Sequence, residues 1–481
     1  MKTKKWLALL LSCLMLVALT ACNKTETPEL IVYTTSGLVD AAGGVTGSFV
    51  HANNECTVTT DGQTWYTVTP TSFTNEATIL VTVEPLTAVG GRSAVITISS
   101  AGLSQTFSLV QTSPVPPTDP TVESVVKNNA ATEVTFNPLA GFDYVLDKSA
   151  SWISVQSSTA DQIVLSLAEN TTGETRSAEV IQKTTDGNTL KTFVITQDWK
   201  NALPGELLIE EVFFTGHLTE SGVQTSADGD QYVKITNNSD ETVYADGLLF
   251  LLSETSSNTA TTGAYYVYPE QPDALGINTV YYIPGSGKDV PLKAGKSLIL
   301  ALAAQDFTEA GGFDLSKADF EFVDEGNEYF PDTDNPDVPN LQSWFISSWS
   351  YTTLHNRGME SYAIAFAPKG MTAETFMADY AWVGKRVMDW NGYHFERDIQ
   401  DAYLIPNDWV VDGVNCAVPE ALGSLSWNPS VDAGWTGVGE TQSDSDRYGK
   451  AVNRKSENGK LVDTNNSTND FNRNAVPTIA Q

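Results

Sequence analysis

The chain has 481 residues and carries 59 Asp and Glu against 27 Lys and Arg, a formal net charge of −32. Nucleic-acid affinity comes largely from cationic side chains on phosphates, so this balance argues against a nucleic-acid role. Four cysteines over that length exclude a disulfide-stapled scaffold.

In chain order, Lys2, Lys4 and Lys5 form a basic start, and Trp6–Leu19 is an apolar run too short to span a bilayer comfortably. Leu19-Thr20-Ala21-Cys22 then resembles the lipobox read by bacterial lipoprotein signal peptidase. The resemblance implies that residues 1–21 are removed as a signal peptide and that Cys22 is acylated. Residues 22–30 would form a lipidated tether at the outer membrane, on its periplasmic or cell-surface face. Cleavage would leave 59 acids facing 24 bases, a net of −35. Only Cys56 and Cys416 would remain as thiols, in different predicted domains and not expected to pair.

Residues 31–113 read as short Thr/Val/Ile-rich strands parted by turns: Gly47–Val50, Cys56–Thr60, Trp65–Val68, Ala77–Val83, Ser93–Ser99 and Gln105–Gln111. A proline-rich linker, 114–121, follows. Residues 122–199 repeat the design. Ser151-Trp152-Ile153-Ser154-Val155 precedes an alternating strand Gln162–Leu167, then Glu169-Asn170, Arg176-Ser177-Ala178 and Val194-Ile195-Thr196-Gln197. That order resembles the BACON family of immunoglobulin-like modules, and Arg92-Ser93-Ala94 with Val110-Gln111-Thr112 echoes it in the first copy. The resemblance implies carbohydrate binding or mere spacing. On burial grounds Trp152 is expected in the sandwich core rather than as a sugar platform. Lys200–Gly205 reads as a second open boundary.

In 206–481, Leu207–Phe214 is a run of strand formers and Gln231–Thr236 alternates as a half-buried strand. Asn237-Asn238-Ser239-Asp240 is a turn by composition, and strand resumes over Val243–Leu252. Later strands are expected at Tyr265–Tyr268, Thr279–Ile283, Ser297–Leu302 and Ser361–Phe366, with the best helical signal at Thr372–Tyr380. Asp230, Tyr232, Asn237 and Gly247, with Arg454, Asp463-Thr464-Asn465, Asp470-Phe471 and Pro477-Thr478, resemble the opening and close of the lamin-tail immunoglobulin-like family. Lys234 and Leu248 depart from that pattern, standing where the family usually has Glu and Trp. The region also resembles an uncharacterised family of bacterial lipoproteins associated with outer-membrane uptake systems. The expected fold class is all-β: tandem immunoglobulin-like sandwiches followed by a larger lamin-tail-like β-sandwich domain with long loop insertions.

No catalytic motif stands out. Ala294-Gly295-Lys296-Ser297 echoes a P-loop but has Val290 where the first Gly belongs, and the four histidines are scattered with no HExxH. Acidic loops at Asp332, Asp334 and Asp337 and at Asp463, Asn465 and Asp470 offer oxygen ligands at alternate positions, as calcium requires; a solvated turn is the alternative. No other cofactor is expected. Seven of eleven tryptophans lie in 340–435, several among Gly, Asn and Asp. Flat rings flanked by amides and carboxylates suit sugar recognition. Trp349, Trp390, Tyr393 and Trp427 are the candidate ligand-binding residues, with Trp349 and Trp390 expected exposed. These features point to a non-catalytic outer-membrane lipoprotein that binds a glycan or a protein partner for a nutrient-uptake complex. An extracellular glycoside hydrolase with its acids in the 300–440 insertions and a structural surface scaffold are the alternatives. No motif fixes the ligand, the leaflet, the partner or the oligomeric state.

Overall fold

The computed structural model describes residues 27–222, 229–257, 264–267, 271–322, 333–347, 352–390, 392–399 and 402–480. Strands account for 46% of the chain and helix for 6%, so the protein is all-β, built of several separate sheets, with no barrel among the described residues. No described helix is long and apolar enough to cross a membrane.

The first sandwich is one continuous sheet folded over its own core. Its centre is a 16-residue strand, Gly44–Thr59, where the sequence suggested two. Residues 44–51 and 55–57 of it pair with Ser72–Val83, and 56–59 pair with Arg92–Ser100, with the register shifting between His51 and Glu55. That shift lets one strand serve both faces. Val50, Ile79, Val81, Ile96, Ile98 and Phe107 close the core. In the second sandwich a four-stranded sheet faces a three-stranded one across Phe136, Ile153, Leu165, Val180, Phe193 and Ile195.

Both sandwiches use the same clamp. Arg92 lies 4.5 Å over Trp65, and Arg176 lies 4.4 Å over Trp152. Each guanidinium Nε donates to a buried glutamine, Gln111 at 2.7 Å and Gln197 at 3.1 Å. Each glutamine amide in turn donates to backbone carbonyls: Gln111 to Glu84, and Gln197 to Ala130 and Asn129. The Arg and Gln of the repeated motifs therefore satisfy each other in the interior, and a cation covers one face of each tryptophan. Trp152 is accordingly a packing residue.

Two six-stranded sheets form the C-terminal region. One runs Phe320–Glu321, Ser297–Ala301, Tyr232–Asn237, Leu207–Phe213, Ala451–Arg454, Phe471–Ala475; the other runs Gln342–Ile346, Ala274–Tyr282, Leu248–Ser253, Tyr362–Phe366, Val410–Val414. Tyr403–Pro406 adds to the second sheet through Ala274–Ile277. Ile209, Val233, Leu248, Phe250, Leu300 and Ile364 are among the residues filling the space between the sheets. The second sheet is also covered on its far side by Phe376, Trp409 and Trp427. That double burial explains why Leu248–Ser253 is buried at every position instead of alternating. The strand expected over Val243–Leu252 breaks at Gly247, whose φ of +78° turns the chain between Val243–Tyr244 and Leu248–Ser253. The expected helix is present as Ala373–Asp379, with Thr372 and Thr375 forming a reciprocal cap.

The segment read as an open boundary, 200–205, is packed instead. Ala202 is fully buried, Lys200 is 6% exposed, and Lys200 Nζ donates 2.7 Å to the Asp408 carbonyl. Asn128 reaches Glu206 at 3.1 Å, Lys288 pairs with Glu169 at 2.6 Å, and Lys369 donates 3.0 Å to the Thr171 carbonyl. The second sandwich is thereby docked on the C-terminal region. The first is tied to the second more lightly, by Asp143 N to the Thr87 carbonyl at 2.8 Å and the Thr87 hydroxyl to Asp143 at 2.7 Å.

Glu360 places a carboxyl oxygen in the interior with no protein partner, close to Tyr362, whose hydroxyl is also unpartnered. Burial, assisted by Glu254, pushes the Glu360 carboxyl up to about 7. Because the folded value lies above that of the unfolded chain, the contribution of Glu360 to stability is fully present at acid pH. It is lost as pH rises through 7. Glu360→Gln should therefore flatten the fall in melting temperature between pH 5 and pH 8.5, measured by thermal unfolding at the two values.

Candidate binding site

Gly384–Trp390 and Tyr393–Ile399 pair as a hairpin, and Gly392, just before the second strand, has φ +79°. In sequence the two strands are joined by Asn-Gly, a pair favoured in two-residue hairpin turns. Ala264–Val267 pairs with the other side of Gly384–Trp390, so Tyr393–Ile399 is the outer strand of a three-stranded sheet. Register sets Trp390 opposite Tyr393 and Met388 opposite Phe395.

Tyr393 is 66% exposed, Phe395 53% and Met388 40%. The two rings lie 6.4 Å apart. Charge sits at the alternate positions: Lys385 pairs with Glu396 at 2.8 Å, and His394 approaches Glu396 at 3.3 Å. Lys385 and His394 together hold the Glu396 carboxyl below its ordinary range. Folded proteins usually guard an edge strand with charge, because its backbone groups invite pairing. Here His394 and Glu396 occupy one face and Tyr393 and Phe395 the other, with Arg397 next along the aromatic row, which makes a flat platform for an apolar ring face beside a cation.

Most of the described tryptophans pack inside, and among the candidate ligand-binding residues one departs from what composition suggested. Trp427 is 2% exposed and its indole N–H donates 2.9 Å to the Tyr362 carbonyl, so it is a core residue and offers no platform. Trp382 and Trp409 are buried, Trp344 stacks near Tyr282 and Phe376, and Arg473 covers Trp435 at 4.9 Å. Cys22, Trp349 and Asp332 fall outside the described residues, as does the side chain of Trp390. Tyr393 is thus the sequence candidate found exposed. Phe395, three residues past Gly392, was missed, although its alternation with Tyr393 after an Asn-Gly pair signals a hairpin.

The acidic loops are tied up within the protein. Asp470 is buried and accepts from Thr464 N at 2.9 Å, Thr464 Oγ1 at 2.7 Å and Asn466 N at 3.2 Å, with Arg454 3.6 Å away. Asp463 also lies 3.5 Å from Arg454, and Asn465 adopts a positive φ in the turn between them. A guanidinium therefore stands where the calcium reading needs a metal. Asp334 accepts from Asn340 at 3.0 Å, and Asp337 closes a turn on Asn335 at 3.1 Å. Among the described residues no three His, Cys, Asp or Glu side chains gather as a metal site. Cys56 and Cys416 are free thiols buried in separate cores.

The fold does assemble one His–Asp pair that the sequence did not reveal, His217 Nδ1 to Asp230 Oδ2 at 2.5 Å. Burial works to raise the Asp230 carboxyl, but His217 and the amides of Phe313 and His217 more than offset it. With Phe313 edge-on to the imidazole at 4.5 Å, the pair fastens three loop segments together.

Comparison with known proteins matches residues 293–478 to a family described as "Protein of unknown function (DUF4876)". Residues 55–112 and 142–198 each match the BACON family, described as "Putative binding domain, N-terminal". No curated protein matches the chain. A DUF4876 family protein from Bacteroides thetaiotaomicron of known crystal structure is 20% identical, covering 74% of this chain and 95% of its own, with a TM-score of 0.45. A Bacteroides ovatus GH5 xyloglucanase bound to a heptasaccharide is 20% identical over 21% of this chain and 22% of its own, at 0.18. An endo-fucoidan hydrolase of glycoside hydrolase family 107 is 15% identical over 37% of this chain and 30% of its own, at 0.24.

Packing and presentation separate in a substitution pair. Trp427→Ala should cost about 3–5 kcal/mol in denaturant titration, as large-to-small changes in a core do. Tyr393→Ala should stay within about 0.5 kcal/mol of the parent, because the side chain is mostly in water.

Proposed function

We propose that the protein is a non-catalytic, lipid-anchored outer-membrane protein that binds a glycan on behalf of a nutrient-uptake complex. The observation that carries this reading is the exposed Tyr393–Phe395 pair on the outer strand of a hairpin, with Arg397 next on the same face. Aromatic faces stack on the apolar faces of sugars, and charged side chains beside them offer partners to the hydroxyls. The module matches to a binding-domain family are compatible with that role.

Anchoring is supported by the sequence Lys2 to Cys22, with its basic start, apolar run and cysteine in order. A lamin-tail-like plan for 206–481 is supported by where the resembling residues lie. Tyr232 and Thr478, from the two ends of the motif, both meet the buried Glu211 carboxylate, Thr478 through its N–H at 2.9 Å. Asn237 bridges the Glu241 and Leu292 carbonyls at 2.7 Å each. In this plan the two sandwiches carry the C-terminal region outward from the membrane. The acidic body keeps nucleic acid away.

Two measurements check this. In detergent phase partitioning, Cys22→Ser should move the protein from the detergent to the aqueous phase; unchanged partitioning would sink the lipoprotein assignment. On immobilised polysaccharides the parent should be retained without releasing products, and Tyr393→Ala with Phe395→Ala should abolish retention at unchanged melting temperature. Product release would point to a hydrolase, and retention by neither protein to a scaffold.

A further inference from the structure

The two faces of the hairpin differ in charge. Tyr393, Phe395 and Arg397 alternate along the outer strand, and register sets Trp390, Met388 and Arg386 opposite them. This row therefore contains two basic residues and no acid. The acids of the hairpin, Asp389, Glu396 and Asp398, all fall at the alternate positions of the two strands. There Glu396 is held by Lys385 and His394, and Asp398 stands opposite Lys385. Successive residues of a strand point to opposite sides, so the acids do not cancel the charge of the aromatic row at contact.

Arg397 is exposed, and among the described residues its guanidinium has no ion pair and no hydrogen bond. By contrast Arg92, Arg176, Arg447, Arg454 and Arg473 are all hydrogen-bonded within the fold. Exposure of an arginine alone decides nothing; its place in the row does. Two residues of strand advance about 6.6 Å, so a sugar ring lying on Phe395 brings its substituents within reach of the Arg397 side chain. A guanidinium presents a planar fork of donors that fits the two oxygens of a carboxylate, and it serves a sulfate ester in the same way.

We propose that the glycan bound by this hairpin is an acidic one, bearing a carboxylate or a sulfate ester on the unit at Phe395, and that Arg397 selects it. This rests on the glycan-binding reading of the hairpin and adds the ligand class to it. The net charge of −32 does not prevent such binding. Charges more than about 8 Å away are largely screened at physiological salt, while Arg397 acts at contact. Duplex nucleic acid, with one charge per about 1.7 Å of axis, would need cations along its whole length, and the row offers them at one end only.

Retention of the full chain on matched polysaccharides, at about 0.15 M salt, tests the proposal. One pair is polygalacturonic acid with its carboxyl-reduced form, the other sulfated galactan with its desulfated form, so backbone and linkage stay constant within each pair. The expected result is at least about fivefold stronger retention on the charged member of one pair, which is what an exposed ion pair can supply. The pair that shows it tells carboxylate from sulfate. Arg397→Ala should bring retention on the charged member down to that on the neutral one, at the melting temperature of the parent, because the side chain has no partner to lose. Arg397→Glu should reverse the preference. Equal retention on charged and neutral members, or a preference that survives Arg397→Ala, would overturn the proposal and leave the glycan reading standing. Retention on none of the four would overturn both.

Discussion

A chain that leaves one sandwich and enters the next must find partners for every backbone group in between, or leave them to water. From Asp198 to Glu206 the partners come from both sides. The Lys200 carbonyl accepts from Asn129 N at 2.9 Å, and the Trp199 carbonyl accepts from the Asn129 amide. Leu203 N donates 2.7 Å to the Glu206 carboxylate, which also takes Asn128. Gly205 N reaches the Val411 carbonyl. Freeing this segment would strand these groups together with the Lys200 ammonium, which is why it behaves as part of a joint. The placement of the C-terminal sheets relative to the second sandwich follows from it.

Within the C-terminal region the comparable constraint is Arg454. Its guanidinium is 1% exposed, donates to the Ile209 and Val462 carbonyls, pairs with Asp412 at 2.6 Å, and lies 4.6 Å over Phe471. Asp412 accepts in turn from Ile209 N at 2.7 Å. One cation thereby joins the first strand of the region, a strand of the second sheet and the closing loop. Burying a charge is tolerable only with this degree of satisfaction. The same reasoning covers Asp432, which accepts from Asn415 N, Gly434 N and both Ser467 groups, so that loops rich in polar residues fold inward around it.

Much of this was legible in sequence because the signals were local. The repeated Arg-Ser-Ala and Val-x-Thr-Gln order marked two sandwiches, and its Arg and Gln turn out to clamp each other. Thr372 and Thr375 frame the helix with a cap that needs only four residues. The errors arose where the deciding contact is distant. Lys200 looked like the start of a linker because its partner, Asp408, is 208 residues away. Trp427 sits between Ser and Asn-Pro, a loop by composition, yet its ring enters the core behind Tyr362. The acidic run 463–470 read as a metal loop because its cation, Arg454, is contributed by a neighbouring strand rather than by an ion. Exposure of Tyr393 and Phe395 depends on which strand is outermost, and composition carries no signal for that.

The contacts across 198–206 make the second sandwich and the C-terminal region one body, with the first sandwich attached through a proline-rich segment. Differential scanning calorimetry of the full chain tests it most directly. Two transitions are expected, one for the first sandwich and one shared by everything from residue 121 onward, because the contacts across 198–206 couple the two units. Three transitions, with the second sandwich melting independently of the C-terminal region, would contradict it.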